Sequence, residues 1–186
     1  MRTLVATVMF LGAAFVAPAG AQQVIDFETN CGLVGIVGGV DFHNYFTCFT
    51  GPQYPYTAHS GVGRVYTPNS GAGGYSFDLA SPSQFSGAWF AGGYGAAVNF
   101  NLFLSNALVG TSSSLTVSGT PTFLASGYAG AVDRVEVYSN RNDFYVMDDV
   151  TIGAAVVATP EPASLGLMAT GLVGLFGVAR RRRAAL

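Results

Sequence analysis

The stretch VNFNLFL, residues 98–104, sets Val98, Phe100, Leu102 and Leu104 on one side of an extended chain and Asn99 and Asn101 on the other. Successive side chains of a strand point to opposite faces, so this is the pattern of a strand with one face in a core and one at the surface. VDRVEVYS, residues 132–139, repeats the device: Val135 and Val137 point inward, while Arg134, Glu136 and Tyr138 meet solvent or a neighbour. Further strands are expected at residues 24–28, 64–67, 75–79, 87–91, 114–117, 123–125 and 144–152, about nine in all, with no helical periodicity of useful length between them. Glycine-rich clusters such as PNSGAGG (68–74) and AGGYG (91–95) punctuate them. Many short strands at this spacing predict an all-β, antiparallel, jelly-roll-like β-sandwich rather than a parallel α/β sheet.

FYVMDDVTI, residues 144–152, interrupts an apolar strand with an acidic pair. Strict alternation puts Asp148 on the face of Phe144, Val146, Val150 and Ile152, and a buried carboxylate needs a partner. Either a bulge turns it outward or something satisfies it. At the other end of the domain, VIDFET (24–29) carries Glu28 on a first strand. First and last strands of jelly rolls often lie together, so Glu28 and Asp148, with Asp149, are candidate ligands of a structural Ca2+ completed by carbonyls and water. The alternative is that Asp148 caps backbone amides at a turn or faces water.

The two ends of the chain carry a different chemistry. Met1-Arg2, an apolar run from Leu4 to Ala17, Pro18 and the A-x-A triplet Ala19-Gly20-Ala21 have the order of a secretory signal peptide, residues 1–21. It would engage the secretion machinery as a helix and be cut by signal peptidase after Ala21. At the other end, Pro160-Glu161-Pro162 precedes an uncharged run from Ala163 to Ala179 and then Arg180, Arg181, Arg182 and Arg183. As a helix, residues 163–179 span about 25 Å at about 1.5 Å per residue, enough for a thin bilayer. The four arginines resist translocation and fix that end on the cytoplasmic side. The expected organisation is therefore a signal peptide (1–21), a β-sandwich ectodomain (22–158) and a C-terminal membrane segment (159–186).

Between residues 22 and 159, three arginines stand against nine carboxylates, a net charge of −6, and the chain has no lysine. An acidic domain without a basic patch is a poor nucleic-acid binder, since that affinity rests on neutralising phosphates. Cys31 and Cys48 are the only cysteines, both in the exported part, where an oxidising compartment lets them pair as a disulfide. No C-x-x-C spacing supports a metal site there.

The tail, with Pro160-Glu161-Pro162, the apolar run and Arg180 to Arg183 in order, resembles the PEP-CTERM sorting signal of exported Gram-negative bacterial proteins. The resemblance implies an exosortase as partner, a membrane-embedded cysteine transpeptidase-like enzyme that cuts near Pro160-Glu161-Pro162 after transient residence in the inner membrane. It implies release or transfer of the ectodomain to the cell surface or extracellular matrix, in systems associated with exopolysaccharide. The ectodomain is similar, more loosely, to carbohydrate-binding jelly rolls.

Catalytic signatures are scarce, and the ectodomain is expected not to be an enzyme. AHSGVG (58–63) sets Ser60 beside His59, but strand neighbours face opposite ways and make a poor nucleophile–base pair. GVGRVY (61–66) lacks the third glycine and helix of a dinucleotide site. Aromatic residues make up 13% of the chain. Trp89 and Tyr94, in or near glycine-rich segments, are candidates to stack on a sugar through its apolar face. Trp89, within GAWFA (87–91), is also a candidate for the core.

Overall fold

The alternation in VNFNLFL is realised in a strand spanning Ala97–Leu104, where Val98, Phe100 and Leu102 are buried and Asn99 and Asn101 are half-buried. A computed structural model describes residues 22–29 and 32–153. The expected signal peptide (1–21), Cys31 and the tail (159–186) lie outside the described residues.

Among the described residues the strands are β1 (Gln23–Ile25), β2 (Leu33–Val37), β3 (Val40–Phe49), β4 (Arg64–Tyr66), β5 (Gly73–Gly92), β6 (Ala97–Leu104), β7 (Ala107–Thr111), β8 (Leu115–Thr116), β9 (Thr122–Ala125), β10 (Ala131–Ser139) and β11 (Tyr145–Ile152). One 3-10 turn, Asn142–Phe144, precedes β11. All strand pairings among the described residues are antiparallel, and the main path runs β1-β11-β4-β3-β5-β10-β6-β7. The described residues form an all-β, antiparallel, jelly-roll-like sandwich. The first and last strands lie side by side as expected, with Val24 opposite Thr151.

Two strands join the layers. The first part of β5 pairs with β10, and its last part pairs with β11 and β9. β3 begins against β5 and ends against β4, bending at His43 and Asn44, both in the left-handed region. The segments expected at 75–79 and 87–91 are thus one strand. Between them the register of β10 steps from Ser83 to Asp78. The skipped stretch contains Pro82, which has no N–H to give to a ladder. At Gly87 the backbone has φ +146°, and a Cβ there would stand 2.2 Å from the Leu124 carbonyl oxygen, so β9 can approach β5 only over a glycine.

The core forms between the layers. Phe85 and Phe100 meet edge to face with centroids 4.8 Å apart, Phe90 lies 5.6 Å from Phe100, and Phe42 touches both Phe27 and Phe77. β10 behaves as its sequence predicts: Val135 and Val137 are buried, and Glu136 accepts a 2.8 Å hydrogen bond from Asn101 on the outer face of β6. Beside it Asp78 receives Arg134 Nε at 2.7 Å and contacts His43 Nε2 at 3.0 Å, tying β5 to β10 and β3. Burial alone would raise the Asp78 carboxyl, but these two partners outweigh it and hold it below its ordinary value.

Candidate functional site

The acidic pair in β11 sits at a bulge. The register of β11 against β5 shifts between Asp148 and Thr151, and Asp149 takes φ 46°. The strand bulges, yet the bulge does not turn Asp148 outward: the carboxyl remains buried and is satisfied by backbone amides. Its Oδ2 accepts the backbone N–H groups of His59 at 2.8 Å and Ser60 at 3.0 Å, and its Oδ1 accepts that of Asp149 at 2.8 Å. Burial pushes the Asp148 carboxyl up to about 6, with the charge of Asp149 adding and the three amides opposing.

From the other side Glu28, just beyond β1, accepts the amides of Val62 at 2.9 Å and Gly63 at 2.7 Å through Oε1. Gly61 lies between, with φ +44° and the Glu28 carboxyl where a Cβ would stand. Arg64 completes the anchoring. Its guanidinium is buried over the Phe49 ring at 4.0 Å and donates to the carbonyls of Val62 at 2.8 Å and Gly51 at 2.6 Å. Burial lowers its pKa, and Asp148 partly restores it.

This corrects the cation site expected from Glu28, Asp148 and Asp149. Glu28 and Asp148 are turned onto separate backbone amides of the 59–63 loop and Asp149 onto the His59 ring and the Ser60 hydroxyl, and among the described residues no group of three or more His, Cys, Asp or Glu side chains is placed to hold a metal ion. Glu28, just beyond β1, and the acidic pair in the middle of β11 together clamp a loop.

The clamp builds an aromatic surface that the sequence did not reveal. Asp149 Oδ2 contacts His59 Nδ1 at 2.6 Å, and its Oδ1 accepts the Ser60 hydroxyl at 2.8 Å. Ser60 is thus bonded to the carboxylate and not to the imidazole beside it. The His59 ring lies flat on Trp89, 3.5 Å away at 10°, and Trp89 tilts toward Phe123 at 5.6 Å. Trp89 and Phe123 face each other as register partners on β5 and β9. Trp89 is half-buried on the outer side of β5, while its neighbours Ala88 and Phe90 point into the core, so the inward placement considered for it is corrected. Tyr94 engages other partners. It is exposed, packs edge-on against Phe144 at 5.0 Å, and its carbonyl accepts a hydrogen bond from Arg141.

The family description "PEP-CTERM protein-sorting motif" matches residues 158–183, from just before Pro160-Glu161-Pro162 to the last of the four arginines. The chain carries a PEP-CTERM sorting motif. It marks an exported protein with a C-terminal membrane-anchoring step. No curated protein matches the chain. Among solved structures, two mutants of CBM29-2, a family 29 carbohydrate-binding module, are similar at 15% identity and a TM-score of 0.45. Each alignment covers 76% of this chain, and 97% and 99% of the two modules.

Proposed function

We propose that the chain is an exosortase substrate whose ectodomain, residues 22–158, works at the cell surface or in the extracellular matrix as a structural, exopolysaccharide-associated protein. The observation that carries this reading is the sorting motif at 158–183. Signal peptidase removes residues 1–21, residues 163–179 hold the precursor in the inner membrane, and cleavage near Pro160-Glu161-Pro162 frees the ectodomain. Each proline fixes its own φ and restricts the residue before it, so Thr159 to Pro162 meets the enzyme with little conformational freedom left to lose. Glu161→Ala should leave export and folding intact while uncleaved precursor accumulates in the inner membrane. Normal processing of that variant would contradict the proposed role of the motif.

A second reading, that the ectodomain binds carbohydrate directly, is favoured by the His59–Trp89–Phe123 surface. An aromatic face with the polar edge of an imidazole beside it suits the apolar face and hydroxyl rim of a sugar. A glycan array on wild type and Trp89→Ala tests it: binding to a defined sugar that disappears in the variant supports it, and an empty array refutes it.

A further inference from the structure

A cleft of about 310 Å3 opens between the segment after β3, the end of β4 and the start of β11. It is separate from the His59–Trp89 surface. Its walls are aromatic: Phe49 and Tyr66, which meet edge to face at 5.4 Å, together with Tyr56 and Tyr145. Its polar groups are Gln53 and Asp143. Asp143 Oδ1 is buried without a hydrogen-bond donor, and Asp143 makes no ion pair among the described residues. The Tyr145 hydroxyl, fully buried beside Thr67, makes no hydrogen bond of normal geometry, and Thr67 gives its own proton to the Asn142 carbonyl at 3.0 Å.

The nearby cations have other engagements. Arg64 lies against Phe49 but is bonded to two carbonyls, and Arg141 donates to the Tyr94 carbonyl. The Tyr56 hydroxyl is raised by burial, with Tyr94 and Asp143 contributing, which places the Asp143 charge within reach of that ring. Asp143, a carboxylate that lines an aromatic-walled cleft without an ion-pair partner in a domain of net charge −6, is complementary to a positive group with an apolar periphery. The volume is at the small end of ligand pockets.

We propose that this cleft binds an organic ammonium group, with Asp143 as its counter-ion and Phe49, Tyr56 and Tyr66 as its aromatic wall. The chain contains no lysine, so no lysine side chain of a second copy can supply the group. Its source is a free small amine or a lysine of another protein. The test uses the full-length chain in detergent, titrated calorimetrically with choline, with N-acetyl-lysine methylamide and with glucose as a neutral comparator. Saturable binding of either ammonium probe, with a Kd of about 10 mM or tighter, is expected to weaken at least about tenfold in Asp143→Asn and in Tyr66→Ala. Selective binding of choline indicates a small amine, and selective binding of the lysine derivative indicates a protein side chain. Melting temperatures identify any variant that fails to fold; if Asp143→Asn is destabilised, Tyr66→Ala carries the comparison. The proposal is overturned if neither ammonium probe saturates, if glucose binds as tightly, or if the folded variants bind like wild type.

Discussion

Asp148→Asn tests the clamp with the least change in shape. In the native protein the Asp148 carboxyl sits at about 6 because burial outweighs the three amides it accepts, against 3.8 ordinarily. Between those two values the folded state holds a proton that the unfolded chain has lost, so stability from this group falls as pH rises through the window. At about 1.4 kcal/mol per pH unit the interval amounts to about 3 kcal/mol, fully present below 3.8 and gone above about 6. Asparagine retains one acceptor oxygen, gives up the other, and does not titrate. Urea denaturation of both proteins from pH 3.5 to 7 should therefore show the wild-type advantage shrinking, or reversing, by up to about 3 kcal/mol as pH rises. The same residues surround position 148 in both proteins, so the comparison isolates the change from carboxyl to amide. A difference independent of pH would refute the account of Asp148 as a carboxyl whose burial outweighs its amide partners.

Other perturbations follow from the packing. Gly87→Ala should be strongly destabilising, by about 2 kcal/mol or more, because the new Cβ meets the Leu124 carbonyl at 2.2 Å with φ +146°; a melting temperature within a degree or so of wild type would contradict the close approach of β9. Phe100→Ala should cost about 3–5 kcal/mol by urea denaturation, since Phe100 meets both Phe85 and Phe90 at the centre of the core. The expected Cys31–Cys48 bridge rests on the pairing of the only two cysteines in an oxidising compartment. Both thiols of the exported protein should resist alkylation under denaturing conditions until a reductant is added, and Cys48→Ser should cost up to about 3 kcal/mol. Immediate labelling of both would exclude the bridge.

What the sequence disclosed follows from what is local. β6 and β10 were legible because each shows one face to the core and one to solvent, so the period of two survives in the residues themselves. The sequence pattern divides β5 into segments at 75–79 and 87–91, and only the pairing with β10 shows the chain continuing past a skipped register around Pro82. β2, β3 and β7 leave no comparable pattern among the strands expected from the sequence. The alternation of Val40, Phe42, Phe46 and Cys48 could have revealed β3, but Asn44 is exposed at the bend and breaks it. The need of Asp148 for a partner was legible from its place in an apolar strand. That the partners are the amides of His59 and Ser60, 89 and 88 residues earlier, is a tertiary fact with no local trace. The same holds for His59 on Trp89: the parity of Trp89 against Ala88 and Phe90 could have placed it outside, yet nothing in AHSGVG announces the indole beneath the imidazole.

The central claim is that the tail is held in the membrane and then removed. The most direct measurement is the intact mass of the mature protein from a host that has the sorting enzyme, with sequencing of its C-terminal peptide. The account predicts a chain that begins near Gln22 and ends close to Pro160-Glu161-Pro162, without the apolar run or the arginines. A mature protein that retains Leu186 would contradict it and make residues 163–179 a permanent anchor.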